Sequence, residues 1–163
     1  MSFFESICGQ YLLETLAFAG LGFAALAPRT ERFEPRKVLL VLVALNVLRF
    51  GGAAGALASI SHSSAPAFLM LVALGDAATA ALALVAFVLL RRRSGRALSI
   101  VRAMNVVGLA DILTSEAVLQ WLDSTGRITR AGMIHGPTIG AAAFTAIHLL
   151  VFAFIAAHRK DAR

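Results

Sequence analysis

Five long apolar runs divide the chain, each bounded by charged residues, glycine or proline. The first covers residues 7–27 and stops at Pro28-Arg29. The second covers 38–60, after the polar stretch Thr30-Glu31-Arg32-Phe33-Glu34-Pro35-Arg36-Lys37, and ends in Ser61-His62-Ser63-Ser64-Ala65-Pro66. The third covers 67–90 and is closed by Arg91-Arg92-Arg93-Ser94-Gly95-Arg96. The fourth covers 97–122, up to Asp123-Ser124-Thr125-Gly126, and the fifth covers 137–157, from Pro137 to His158-Arg159-Lys160. At 1.5 Å per residue each run is long enough for a hydrocarbon core of about 30 Å. None alternates strictly between apolar and polar, so the pattern predicts helices and not barrel strands. The expected fold is all-α: one integral membrane bundle of five transmembrane helices formed by residues 1–163.

Composition agrees. Of the 163 residues 59% are hydrophobic and only 15% charged, with a mean hydropathy of +0.81. Soluble domains carry about a quarter charged residues. Basic residues set the expected orientation. Arg29, Arg32, Arg36 and Lys37, then Arg91, Arg92, Arg93, Arg96 and Arg102, then Arg159, Lys160 and Arg163 fall on one side if there are five crossings. Arg127 and Arg130 fall on the other. Basic loops stay in the cytoplasm, which puts the N-terminus out and the C-terminus in. Met1–Gly9 has no basic start of a secretory signal, so the first run is expected to remain as a helix.

The net charge of +6 does not point to nucleic acid, because the basic residues cluster at helix ends, where they meet lipid headgroups. The expected partners are membrane lipids. The lone Cys8 excludes an intramolecular disulfide and a Cys-x-x-Cys redox pair, and with them the small quinone-linked disulfide generators.

Ionisable residues inside such helices cost about 2.5–3.5 kcal/mol each at the centre, so their depth is informative. Arg49 lies 11 residues from Ile60, Asp76 lies 10 from Pro66, Asp111 lies 11 from Leu122 and His148 lies 11 from Pro137. All four therefore fall about 15–17 Å from the outer helix ends. Glu14 lies nearer the outside. Asn46 is one turn from Arg49 with Gly52 and Ala53 on its face, and Asn105 is set off around the fourth helix from Met104, Gly108, Asp111 and Ser115. The expected site is lined by Arg49, Asp76, Asp111 and His148, with Glu14, Asn46 and Asn105 around it. Arg49 is expected to act as anion anchor or internal counter-ion, Asp76 and Asp111 as proton- or cation-exchanging groups, and His148 as a switch near neutral pH.

Blander readings compete. Interhelical hydrogen bonds alone average about 0.6 kcal/mol in membranes, which explains a polar core poorly. A core histidine bonded to a neighbour is a common arrangement, and Glu116 can be solvated at the outer boundary. A metal held by Asp76, Asp111 and His148 has no local motif behind it, and no second mid-membrane histidine offers a haem ligand. The identity of any cofactor or metal stays open. His62 and His135 suit a surface metal or pH site less well than ordinary loop positions. Phe144, Phe152 and Phe154 are expected to face lipid and pack, while Gly51/Gly55 and Gly136/Gly140 offer faces for homo-oligomers.

Asn46-Val47-Leu48-Arg49-Phe50, Leu74-Gly75-Asp76, Asn105-Val106-Val107-Gly108-Leu109-Ala110-Asp111 and Ile147-His148-Leu149-Leu150 resemble a loose group of small bacterial membrane proteins with no known activity. The resemblance covers the last four helices. It implies a multi-pass inner-membrane protein and brings no reaction with it. Three functions therefore stay open: binding or moving a proton, ion or small polar ligand; an embedded enzyme acting on a lipid or prenyl-type substrate; and an accessory subunit of a membrane complex.

Overall fold

The computed structural model describes residues 7–26, 34–128 and 136–157, and every regular element among them is helical. In chain order these are α1 (Ile7–Leu26), α2 (Pro35–Val47), α3 (Arg49–Ser59), α4 (Pro66–Arg91), α5 (Ala97–Ser124) and α6 (Gly136–Ala157). A short 3-10 turn, Ile60–His62, ends α3. Pro35 and Pro66 open α2 and α4, where a missing N–H costs nothing. Both α4 and α5 close in Schellman turns. Ser94 N–H bonds Leu89 O and Arg93 N–H bonds Leu90 O, while Arg127 N–H bonds Leu122 O and Gly126 N–H bonds Asp123 O. Such turns need a left-handed residue. Gly126 supplies it at φ 66°, and Arg93 supplies it at φ 55° despite its side chain.

Four helices are long and apolar enough to cross a membrane: Pro35–His62, Pro66–Arg91, Ala97–Ser124 and Ile139–Ala157. The first apolar run, α1, is a helix of 20 residues and is not among the four; Gln10, Tyr11, Glu14 and Thr15 sit in its first half. The outside of the bundle is apolar. Leu16, Leu21, Val41, Leu48, Leu74 and Leu113 are all more than half exposed. In water so continuous an apolar surface would be an aggregation or docking face. Arg49, Asn46, Thr79, Asn105 and His148 meanwhile are buried. Apolar residues outside and polar residues within is the arrangement that a lipid solvent favours.

The second span is interrupted at Leu48, which the pattern of hydrophobic residues does not show. Leu48 separates α2 from α3, its N–H reaching only to Leu45 O, and Gly51 N–H likewise bonds Leu48 O. Two such i→i−3 bonds tighten the chain locally. Asn46 adds a competing bond from its Nδ2 to Leu42 O at 3.1 Å, and the Gly51-Gly52 pair follows. α2 packs against both α4 and α6, whereas α3 packs against α4 and barely meets α6. The α2 half of the bundle is filled by Leu39, Val43, Val101, Met104 and Val151. The other half opens as a wedge between α3 and α6.

The first helix lies along α6. The hydroxyls of Tyr11 and Thr145 share a hydrogen bond of 2.8 Å, and Leu150 packs over Gly22, so the two helices run parallel. Tyr11 and Thr15, four residues apart, are on the buried stripe, while Leu12, Leu13, Leu16 and Phe23 point away from the bundle.

Candidate binding site

Arg49 is the first residue of α3, after the interruption at Leu48, and lies at the base of the wedge. Only 2% of Arg49 is exposed. Its Nε donates to Asp76 Oδ1 on α4 at 2.6 Å, and its Nη2 donates to Asp111 Oδ2 on α5. Nη1 donates to Gly108 O at 3.4 Å and to His148 Nε2 on α6 at 3.3 Å. A guanidinium has five N–H groups, so four are used inside the protein. The ring of Phe144 lies 5.5 Å from the guanidinium carbon, within range of a cation–π contact. One arginine thus ties four helices together at one level.

These bonds fix the state of His148. An arginine can only donate, so Nε2 accepts, and the proton sits on Nδ1 and is donated to Asn105 Oδ1 at 2.7 Å. Asn105 also donates from Nδ2 to His148 O at 2.9 Å. Both residues are fully buried. A second ring proton would aim N–H at N–H, so the switching role considered from the sequence has no place in this arrangement. His148 orients the guanidinium.

Three glycines make room for these side chains. A Cβ at Gly52 would run into Asp76 Oδ2, one at Gly75 into the Asp111 carboxylate, and one at Gly108 into the His148 ring and Thr79. Each glycine lets a polar group lie flat against a neighbouring helix backbone. By contrast, a Cβ at Gly51, Gly55 or Gly140 would meet nothing. The Gly51/Gly55 pair therefore does not serve close packing within the chain.

Above Arg49 the wedge holds a cavity of about 360 Å³, within the range of small-ligand pockets. Arg49, Asp76 and Asp111 line it, as do Ser115, Glu116 and Phe144. Each aspartate gives one oxygen to Arg49, and Asp76 Oδ2 and Asp111 Oδ1 receive no hydrogen bond among the described residues. Ser115 Oγ and Glu116 Oε2 are buried without a partner. The sequence pattern assigned Phe144 to packing and Glu116 to solvent; both line this cavity instead.

The remaining expected residues lie around this centre. Glu14 is outside the Arg49 network, with its Oε2 buried and without a partner among the described residues. Asn46 is fully buried one turn below Arg49, bonded to Leu42 O, with Oδ1 unpartnered. No three His, Cys, Asp or Glu side chains among the described residues converge as a metal-ligand set. The Arg49 guanidinium occupies the space that Asp76, Asp111 and His148 would need to share a metal. His62 ends the 3-10 turn, and His135 and His158 lie outside the described residues.

Residues 7–156 match a single family, a domain of unknown function designated DUF8737. The chain belongs to that family. The match takes in every residue named at the site and all but the last residue of α6, so the DUF8737 unit is the whole described bundle. No curated protein and no solved structure matches the chain.

Proposed function

We propose that this protein is a five-span membrane protein, N-terminus out and C-terminus in, that binds a small polar ligand or ion at the Arg49–Asp76–Asp111 layer. In this reading α1 is the fifth span. Its parallel course along α6 and its outward Leu12, Leu13, Leu16 and Phe23 support that. The basic loops then lie in the cytoplasm, the location is the cell inner membrane, and the cavity lies on the outer side of the Arg49 layer.

One observation carries the reading. The ion-paired layer is not sealed in the core but forms the floor of a cavity lined by the carboxyl groups of Asp76, Asp111 and Glu116, with Ser115 Oγ and Glu116 Oε2 buried without a partner among the described residues. A layer that served register alone would gain stability by closing, since unpaired polar groups in an apolar medium are costly. Arg49 acts as internal counter-ion, and His148 and Asn105 hold it in place. In an embedded enzyme His148 would not be the acid or base, because both of its ring nitrogens are engaged.

The test is a melting-temperature screen of small ions and polar compounds in lipid nanodiscs, run on the wild type and on Gly55→Leu. Gly55 lines the cavity and has open space beside it, so the leucine fills the cavity without a clash. A compound that raises the wild-type melting temperature and leaves Gly55→Leu unmoved supports the proposal. Equal responses in both proteins would overturn it.

A further inference from the structure

The chemistry of the cavity wall selects its occupant. Four of the five N–H groups of Arg49 are consumed within the protein, and the Phe144 ring lies beside the guanidinium. The polar groups left on the wall are mainly acceptors: the carboxyl groups of Asp76, Asp111 and Glu116, beside the Ser115 hydroxyl, which can both donate and accept. Two aspartates already share one guanidinium, and Glu116 is in no ion pair among the described residues. An anion entering here would meet carboxylates and almost no free donors. A cation carrying N–H groups would find several oxygens and an aromatic face.

The rest of the wall is apolar. Ala56, Phe68, Leu69, Val72, Ile112 and Leu119 run from the carboxylates toward the end where α3 stops and α4 begins. The gap between α3 and α6 opens sideways, because α3 barely meets α6, and its α3 edge is Gly52, Gly55 and Ser59. The opening is thus flanked by small residues and exposed apolar ones, including Leu57 and Ile139. A ligand reaching the carboxylates by this route passes through lipid before it meets charge.

From this geometry we infer that the ligand is an amphiphilic amine: a primary or secondary ammonium group bound by Asp76, Asp111 and Glu116, carrying an apolar tail that lies along Leu69, Val72 and Leu119. The inference rests on the binding role proposed above and names the ligand class for that same site. Asp76 and Asp111 hold the ammonium from the Arg49 side, and Glu116 holds it from the mouth. Glu116 is the discriminating residue. It belongs to the cavity but not to the Arg49 network, so neutralising it alters the ligand site and leaves the helix-tying ion pairs in place.

The probe is n-hexylammonium, which is a cation at neutral pH since alkyl ammonium groups titrate near 10.4. Hexanol and hexanoate share its tail and differ in the head. Binding to the protein in nanodiscs is measured by titration calorimetry for the wild type, Glu116→Gln and Asp111→Asn. The expected result is hexylammonium binding that weakens at least tenfold in Glu116→Gln, with no binding of hexanoate and little of hexanol. The melting temperature of Glu116→Gln without probe reports that the fold is intact, which keeps the test valid if Asp111→Asn fails to fold. Preference for hexanoate, or hexylammonium binding unchanged in Glu116→Gln, would overturn the cation assignment while leaving a ligand site in the wedge. No binding of any of the three overturns the assignment too, and if the compound screen is equally silent the binding role falls with it.

Discussion

Replacing Arg49 by methionine separates two accounts of what the polar layer contributes. Arg49 makes four hydrogen bonds, to Asp76, Asp111, Gly108 and His148. If each contributes the membrane average of about 0.6 kcal/mol, their loss costs about 2.4 kcal/mol. If the larger effect is two carboxylates left without a counter-ion, the loss is about 3–5 kcal/mol. The triple variant Arg49→Met, Asp76→Asn, Asp111→Asn tells these apart. It lacks the same four bonds but buries no unpaired charge. On the charge account it recovers most of the loss; on the bond-counting account it recovers none. Side-chain accessibility favours the charge account, because Arg49 is 2% exposed and Asp111 only 9%. Reversible unfolding in mixed detergent micelles, followed by helical circular dichroism, measures all three proteins. An Arg49→Met protein within about 0.5 kcal/mol of the wild type, as for an ordinary surface change, would refute the layer as an energetic centre.

Further outcomes follow from the same geometry. Gly75→Ala puts a Cβ into the Asp111 carboxylate and should cost about 1–3 kcal/mol as overpacking does, while Gly51→Ala, with open space around it, should stay within about 0.5 kcal/mol on the same unfolding assay. Asn105→Leu removes the acceptor of His148 Nδ1–H and should cost about 1–3 kcal/mol. Nitrogen NMR of the wild-type imidazole should show the Nδ1–H tautomer, and an Nε2–H tautomer would contradict the bonding described. Arg93→Gly relieves a left-handed arginine at φ 55° and should raise stability by up to about 1 kcal/mol in thermal melts.

Much of this site was legible in the sequence, and for a definite reason. Residues at equal depth on neighbouring rods must meet if they point inward. Counting from helix ends put Arg49, Asp76, Asp111 and His148 at one level, and the structure brings those four together, with Asn105 behind His148. The count treats each span as one continuous helix, so it missed the interruption at Leu48, which carries neither proline nor glycine and has i→i−3 bonds on either side of it. Depth along a helix also does not show which faces border a cavity, so Phe144 and Glu116 were not assigned to it. The spacing of Gly51 and Gly55 suggested close packing, but packing depends on what stands opposite, and in this chain the close approaches are at Gly52, Gly75 and Gly108. Spacing also could not show that His148 faces a guanidinium, and that partner decides which of its nitrogens holds the proton.

Native mass spectrometry of the protein taken from membranes in mild detergent, with an absorption spectrum of the same sample, tests the central claim most directly. The account predicts a bound species of small mass on the wild type, lost in Asp111→Asn and displaced by hexylammonium. A wild-type protein that flies bare, and a mutant indistinguishable from it, would contradict a ligand site at the Arg49 layer and leave the bundle as a structural subunit.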